Sequence, residues 1–240
     1  VSWFSPLPPD LTLRLPTQIP KTVVPSFIGE NGQVLNLLFH HGSGNIARDY
    51  SELTNHGTIY GASWVEGSWG WALIFTADNN YVEVPDDPSL DFTASFSILC
   101  WINYQLTALT HDHVLIGKTT VANSSDGYQL KFGYGRDLRL PIGGNADIVY
   151  TYPSAYLNEW HHVAGVYDGT DRQLFVDGSL VASDSPAVAV PTNNLPLRVG
   201  MRYQAGTYFE GFIGIVVVYN RALSPTEVRN HYELQKSIFQ

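Results

Sequence analysis

The sequence predicts an all-β fold, an antiparallel sandwich of two stacked sheets, on three observations. About twelve short apolar runs alternate with turn clusters from residue 34 onward. No long 3.6-residue apolar period interrupts them before the C-terminus. Charged residues are only 15% of the 240 residues and aromatics reach 13%, with 21 Gly and 14 Pro. That balance is too apolar for disorder and too punctuated by turn residues for a helical bundle.

In chain order, the first 33 residues stand apart. Pro6, Pro8, Pro9, Pro16, Pro20 and Pro25 crowd this stretch, and between them Leu11, Leu13 and Leu15 alternate with Thr12 and Arg14. Proline at this density excludes helix and central strand and favours an extended arm. The arm closes on the turn-like Gly29 to Gly32, so the chain divides into an N-terminal arm, 1–33, and one domain, 34–240. The strand candidates are VLNLLF (34–39), GTIYGA (57–62), ALIFT (72–76), YVEV (81–84), FSILCWINY (96–104) and VLIGKT (114–119). YQLKFGY (128–134), LRLPI (138–142), WHHVAGVY (160–167), QLFVDG (173–178), LRVGM (197–201) and FIGIVVVY (212–219) follow. A short C-terminal helix is expected where Ser224 precedes Pro225 and Glu227 stands three residues on, the pattern of a capping box.

Charge and cysteine narrow the partners. A formal net charge of −9 opposes binding to nucleic acid or an anionic membrane. The longest apolar runs fall short of the roughly 18 residues of a membrane helix, so membrane insertion is not expected. Cys100, the single cysteine, rules out an intramolecular disulfide and reads as a small buried hydrophobe. The chain begins at Val1 without an initiator Met, which fits a processed product and an extracellular or surface-exposed location.

Several motifs now stand together in order. They are Gly42-Ser43-Gly44, Asn55-His56-Gly57, the GWALIF and YVEVPDDPSL runs, EWHHVAGVYDG with its VDG hairpin, and GFIGIVVVYNRALSPTE. Over about residues 34–232 this array resembles the laminin-G-like domains of the concanavalin A-like lectin/glucanase superfamily. The resemblance implies a jelly-roll sandwich whose first and last strands lie side by side.

Catalysis is not expected. Retaining glucanases need an acid and a nucleophile about 5–5.5 Å apart, and no strand here carries alternating acids. Glu83, Asp86 and Asp87 cluster, but Pro85 and Pro88 break the run. Tyr128 and Lys131 match a lyase pattern only loosely. No cofactor is required by any motif. The resemblance does imply structural calcium, for which oxygen donors in loops are the chemistry. Asp49 with Asn55, Asp78 with Asn79, and Asp126 are the candidates, with turn capping the competing role for the same side chains. His111 and His113, spaced i, i+2, have the spacing of a transition-metal pair, but no third ligand is recognisable, and a polar loop between strands is the favoured reading.

Two functions remain. The first is a non-catalytic structural module that assembles with other copies of itself through the arm. Its basis is the strand Gly211 to Tyr219, where Ile213, Ile215 and Val217 line one face that the family normally leaves wet. Leu11, Leu13, Leu15, Ile19 and Val23 of the arm are the available cover, more readily on a neighbouring copy than on the same chain. The alternative is a lectin-like, glycan-binding adhesion module that uses loop tyrosines, of which Tyr134, Tyr150, Tyr152 and Tyr203 are the candidates.

Overall fold

The alternating runs fold as sixteen strands and one α-helix in a computed structural model that describes residues 30–105, 111–134, 136–145, 147–203 and 207–240. The first strands are β1 (Gln33–Leu38), β2 (Ile46–Ala47), β3 (Gly57–Tyr60), β4 (Ser63–Gly67), β5 (Gly70–Phe75) and β6 (Tyr81–Val84). They continue as β7 (Phe96–Tyr104), β8 (His113–Lys118), β9 (Tyr128–Phe132), β10 (Asp137–Arg139) and β11 (Val149–Thr151). The last are β12 (Trp160–Tyr167), β13 (Arg172–Val176), β14 (Ser179–Asp184), β15 (Leu197–Val199) and β16 (Gly211–Tyr219), before α1 (Pro225–Phe239).

Two antiparallel sheets result, as the alternation predicts. One runs β14-β13-β12-β7-β16-β5-β4, with β1 also paired to β16. The other runs β11-β10-β9-β8-β15-β6-β3-β2. Gln33 pairs with Tyr219, so the first and last strands do lie side by side. Between the sheets, one face of each strand fills a continuous core that includes Leu35, Phe75, Ile98, Cys100, Leu130, Val163 and Val218. Cys100 is 1% exposed, and burial pushes its thiol far above its ordinary range.

Simple alternation puts Ile213 on one face with Ile215, Val217 and Tyr219. The structure differs, because the β16–β7 register slips between Ile213 and Ile215. A bulge of this kind re-aims the strand, and Ile213 joins Val216 and Val218 in the inter-sheet core. Ile215, Val217 and Tyr219 point outward into a second cluster, where Leu223, Val228, Tyr232 and Phe239 cover them. The cover for the extra apolar face is therefore α1 of the same chain. Ile213, Ile215 and Val217 are 0%, 3% and 2% exposed, and they offer no docking face to an arm. Leu11, Leu13, Leu15, Ile19 and Val23 lie outside the described residues.

Local chemistry fixes the helix. Ser224 accepts from the Glu227 amide while the Glu227 carboxylate accepts from the Ser224 amide, the predicted capping box, and Pro225 takes the first turn. The far end is held by rings: Phe239 stacks on Trp101 and packs against Trp160, both at 4.7 Å between centroids. Gly214 makes room for this, since a Cβ there would stand 2.5 Å from the Phe239 ring. Polar pins complete the seam. The Trp101 indole donates to Gln235 Oε1 at 2.7 Å, and the Tyr219 hydroxyl lies 3.0 Å from His231 Nε2.

Two imidazoles are sealed beneath the helix. Burial, with His231 nearby as a lesser cause, pulls His162 down to about 3. Burial also pulls His231 down to about 4, although Glu227 opposes the shift.

Two outcomes follow from this seam. Phe239→Ala should destabilise the protein by about 2–3 kcal/mol, below the range for a fully buried Phe because this ring is only partly buried. Gly214→Val should cost about 1–3 kcal/mol by overpacking. In urea titrations the double variant should be clearly less destabilised than the sum, because the new side chain would occupy the space the ring vacates. Additive losses would disprove the contact.

The second outcome concerns pH. Both histidines are neutral in the folded protein but titrate near the ordinary imidazole value of 6.5 when unfolded. The unfolded chain thus binds more protons between these values. Stability should be full above about pH 6.5 and fall below it, by up to about 1.4 kcal/mol per pH unit for each group. His162→Phe should remove about one proton's worth of that slope; an unchanged acid limb in denaturant melts would refute the assignment.

Candidate functional site

On the outer face of the second sheet, three neighbouring strands, β3, β6 and β15, present their outward residues to solvent. Ile59, Val82, Val84, Leu197 and Val199 point inward and are buried. By strand alternation Tyr60, Tyr81, Glu83 and Arg198 must point outward. Register then brings them together, since Tyr60 pairs with Tyr81 and Arg198 with Glu83.

The result is a row of stacked planes. The Tyr60 and Tyr81 rings stack at 4.8 Å with an interplanar angle of 25°. The Arg198 guanidinium lies 4.2 Å from the Tyr81 ring and 4.5 Å from that of Tyr203. Arg198 also donates through Nε and Nη2 to Glu83 Oε2 at 2.9 and 2.7 Å. Tyr60 is 42% and Tyr203 49% exposed, so both ends of the row are open. Rings of this kind offer apolar faces with polar edges, and the Arg–Glu pair adds directional donors and acceptors held on a sheet rather than on a mobile loop.

Of the four tyrosines singled out in the sequence, Tyr203 belongs to this row. Tyr134 is 69% exposed and lies within electrostatic reach of Arg202, apart from the stack. Tyr150 is half-buried. Tyr152 is a correction: it is wholly buried, packed edge-on against Phe132 and Tyr156, because β11 folds its following residue back into the core. Tyr60, Tyr81 and Arg198 escape the sequence reading, although YVEV and LRV already carry the outward alternation.

A family model described as the concanavalin A-like lectin/glucanases superfamily, of the Laminin_G_3 type, matches residues 76–229. The chain belongs to this superfamily. Comparison with curated proteins returns no match. Among solved structures, two toxin binding domains and one domain of an arabinanase share the fold. The binding domain of Paraclostridial Mosquitocidal Protein 1 superposes with a TM-score of 0.68 at 18% identity over 84% of this chain and 52% of that one. The botulinum neurotoxin serotype G binding domain gives 0.68 at 17% identity, over 85% and 51%. Domain 4 of AbnA, a GH43 extracellular arabinanase from Geobacillus stearothermophilus solved with arabinotriose, gives 0.64 at 18% identity, over 87% and 98%. The chain thus spans about half the length of the two toxin domains and nearly all of the arabinanase domain.

Within this superfamily fold, the acids noted in the sequence have local partners. Asp49 is buried, and its oxygens accept from the amides of Asn36, Ser51 and Asn55 at 2.7–2.9 Å and from the Ser51 hydroxyl at 2.6 Å. Asn55 donates to the Val34 carbonyl and to Ser89, both at 2.9 Å. Asp126 accepts from the hydroxyls of Thr119 and Thr120 and from the Thr120 amide. Burial raises its pKa, but these bonds more than offset that and leave it lowered. Asp78 and Asn79 lie in the exposed turn before β6, with Asn79 at φ 78°; Asn80 is the residue that caps there, accepting from the Thr76 amide at 2.9 Å.

The remaining cluster is similarly committed. Glu83 holds Arg198, Asp86 pairs with Lys118 at 2.8 Å, and Asp87 accepts from the Ser89 amide at 2.9 Å. Tyr128 donates to the Leu90 carbonyl at 2.9 Å, and Lys131 pairs with Asp112 at 2.8 Å. These contacts brace turns and join loops and strands to their neighbours.

Asp49→Ala should leave several amides without their acceptor. At roughly 1–3 kcal/mol for each buried unsatisfied group, a loss of about 2–4 kcal/mol is expected in chemical denaturation. The same loss should be measured with and without a calcium chelator; a loss that vanishes in chelator would instead assign Asp49 to a metal.

Proposed function

We propose that the domain is a non-catalytic carbohydrate-binding module whose recognition surface is the Tyr60–Tyr81–Arg198–Tyr203 row with Glu83. The observation that carries this reading is the row itself: the stacked Tyr60 and Tyr81 rings and the Arg198 guanidinium stand on three buried-backed strands, with the Tyr203 ring from beyond β15 against the guanidinium, and both ends are open. Sugar rings have an apolar C–H face that packs on such a surface, while their hydroxyls need the directional partners that Arg198 and Glu83 supply. The arabinotriose in the arabinanase domain and the binding-domain neighbours support the class of function. A module of this kind works where polysaccharide is met, outside the cell or at its surface. Assembly through the arm has lost the strand face on which it rested, and it is not the reading adopted.

Titration calorimetry with a panel of oligosaccharides, arabinotriose included, tests the proposal. Weak 1:1 binding is expected to at least one of them. Tyr203→Ala or Tyr81→Ala should each weaken it by about fivefold, corresponding to roughly 1 kcal/mol for one stacked ring. Tyr134→Ala should leave it unchanged. Binding that survives the loss of both row tyrosines would overturn the site, and a panel without any binder would overturn the function.

A further inference from the structure

A second cluster lies at another place in the sandwich. His113 opens β8, and His111 stands two residues earlier with its ring 4.4 Å from that of His113. Alternation places both imidazoles on one side and Asp112 on the other, where it meets Lys131 at 2.8 Å and Arg202 at 3.6 Å. The third member comes from the opposite sheet. Glu210 immediately precedes β16, and its carbonyl accepts from the Gln105 amide at 2.9 Å. One ligating atom from each of His111, His113 and Glu210 lies within 4.8 Å of the others.

We propose that His111, His113 and Glu210 form a zinc site. Two imidazoles and one carboxylate are the donor set that zinc takes with three protein ligands, leaving a fourth position for water. Calcium and magnesium prefer oxygen donors alone, which sets this cluster apart from loop acids. In a tetrahedral site with bonds of 2.0–2.1 Å the donors stand about 3.4 Å apart, so side-chain rotation of about an ångström closes the cluster. Burial fits the role: His113 is 0% and Glu210 6% exposed, whereas the half-buried His111 leaves an approach from solvent. A divalent cation also offsets the cost of a carboxylate held in a dry setting. The surroundings orient the ligands, with Tyr104 edge-on to the His113 ring at 5.3 Å. The Tyr208 ring lies 4.5 Å from that of His111, and its hydroxyl hydrogen-bonds Glu210. Bound zinc would join the start of β8 in one sheet to the start of β16 in the other.

The test uses the full chain, stripped with a chelator and dialysed. Zinc titration should give one tight site per chain and raise the melting temperature. Cobalt in its place should give the intense visible bands of a four-coordinate ion. Glu210→Gln and His111→Asn should each weaken zinc binding by at least about tenfold, since lesser, outer-shell changes already cost 10–100-fold. Each variant's melt in chelator shows that it is folded. Calcium should not compete. Zinc bound equally by folded variants would place it on other histidines, such as His40 and His41, and overturn the proposal, as would a wild-type chain that takes up no zinc. If a variant fails to fold, the cobalt spectrum of the wild-type chain decides alone, with octahedral, weak bands counting against the site.

Discussion

Burial of β16 on both faces is the constraint on which the rest of the architecture depends. A strand with one wet face needs only a partner sheet; a strand with two apolar faces needs a third layer. Here that layer is α1, and its seat determines much else. The bulge at Gly214 divides the labour along one edge of β16, with β5 paired before it and β1 after it. The outward residues of β7 and β12, including Leu99, Trp101, Ala164 and Val166, share the helix cover. The margins of that sheet, β4 and β14, keep the most exposed patterns.

The charged residues tell a complementary story. Lys118 is buried against Asp86 and Asp91, Lys131 against Asp112, and Arg172 against Asp184 and the Leu140 carbonyl. Burying a cation is tolerable only when it is paired and hydrogen-bonded, so these scarce charges are tied to architecture. Each ties a strand to a loop or to the strand beside it, and Arg172 also reaches across to the other sheet. Carboxylates spent in this way are poor candidates for proton transfer. The outer face of β3, β6 and β15 differs, because its one ion pair is flanked by rings that face solvent.

Much of this was legible from residue pattern. The strands FSILCWINY and WHHVAGVY appear with the bounds that their apolar runs define, and the Ser224–Glu227 box starts the helix where it should. The missed strands β2, β4, β11 and β14 are short or polar edge segments, whose side chains bury too little to leave an alternating signal. The helix expected to be short runs 15 residues to Phe239, and its contact face explains why that length was hidden. It uses His231 and Gln235 as well as Val228 and Ile238, so polar residues occupy positions where apolar ones would mark the period. The aromatic row and the His–Glu cluster are joined across strands far apart in sequence. Alternation tells which way Tyr81 or His111 points, but not what stands beside it. A single bulge was enough to turn Ile213 from a surface candidate into core.

The adjacency of the first and last strands has a consequence for synthesis. Gln33 and Tyr219 are 186 residues apart and touch, so a chain emerging from the ribosome presents β1, β5 and β7 long before their shared partner exists. Closure of such distant pairs is slow, and apolar edges wait exposed meanwhile. The inter-sheet core can be completed only when β16 arrives, and the outer cluster only when α1 follows it. Emergence of β16 and α1 is therefore the step at which this domain becomes a closed body: a stop between β15 and β16 leaves two unfinished cores, and a stop between β16 and α1 leaves the outer cluster uncovered.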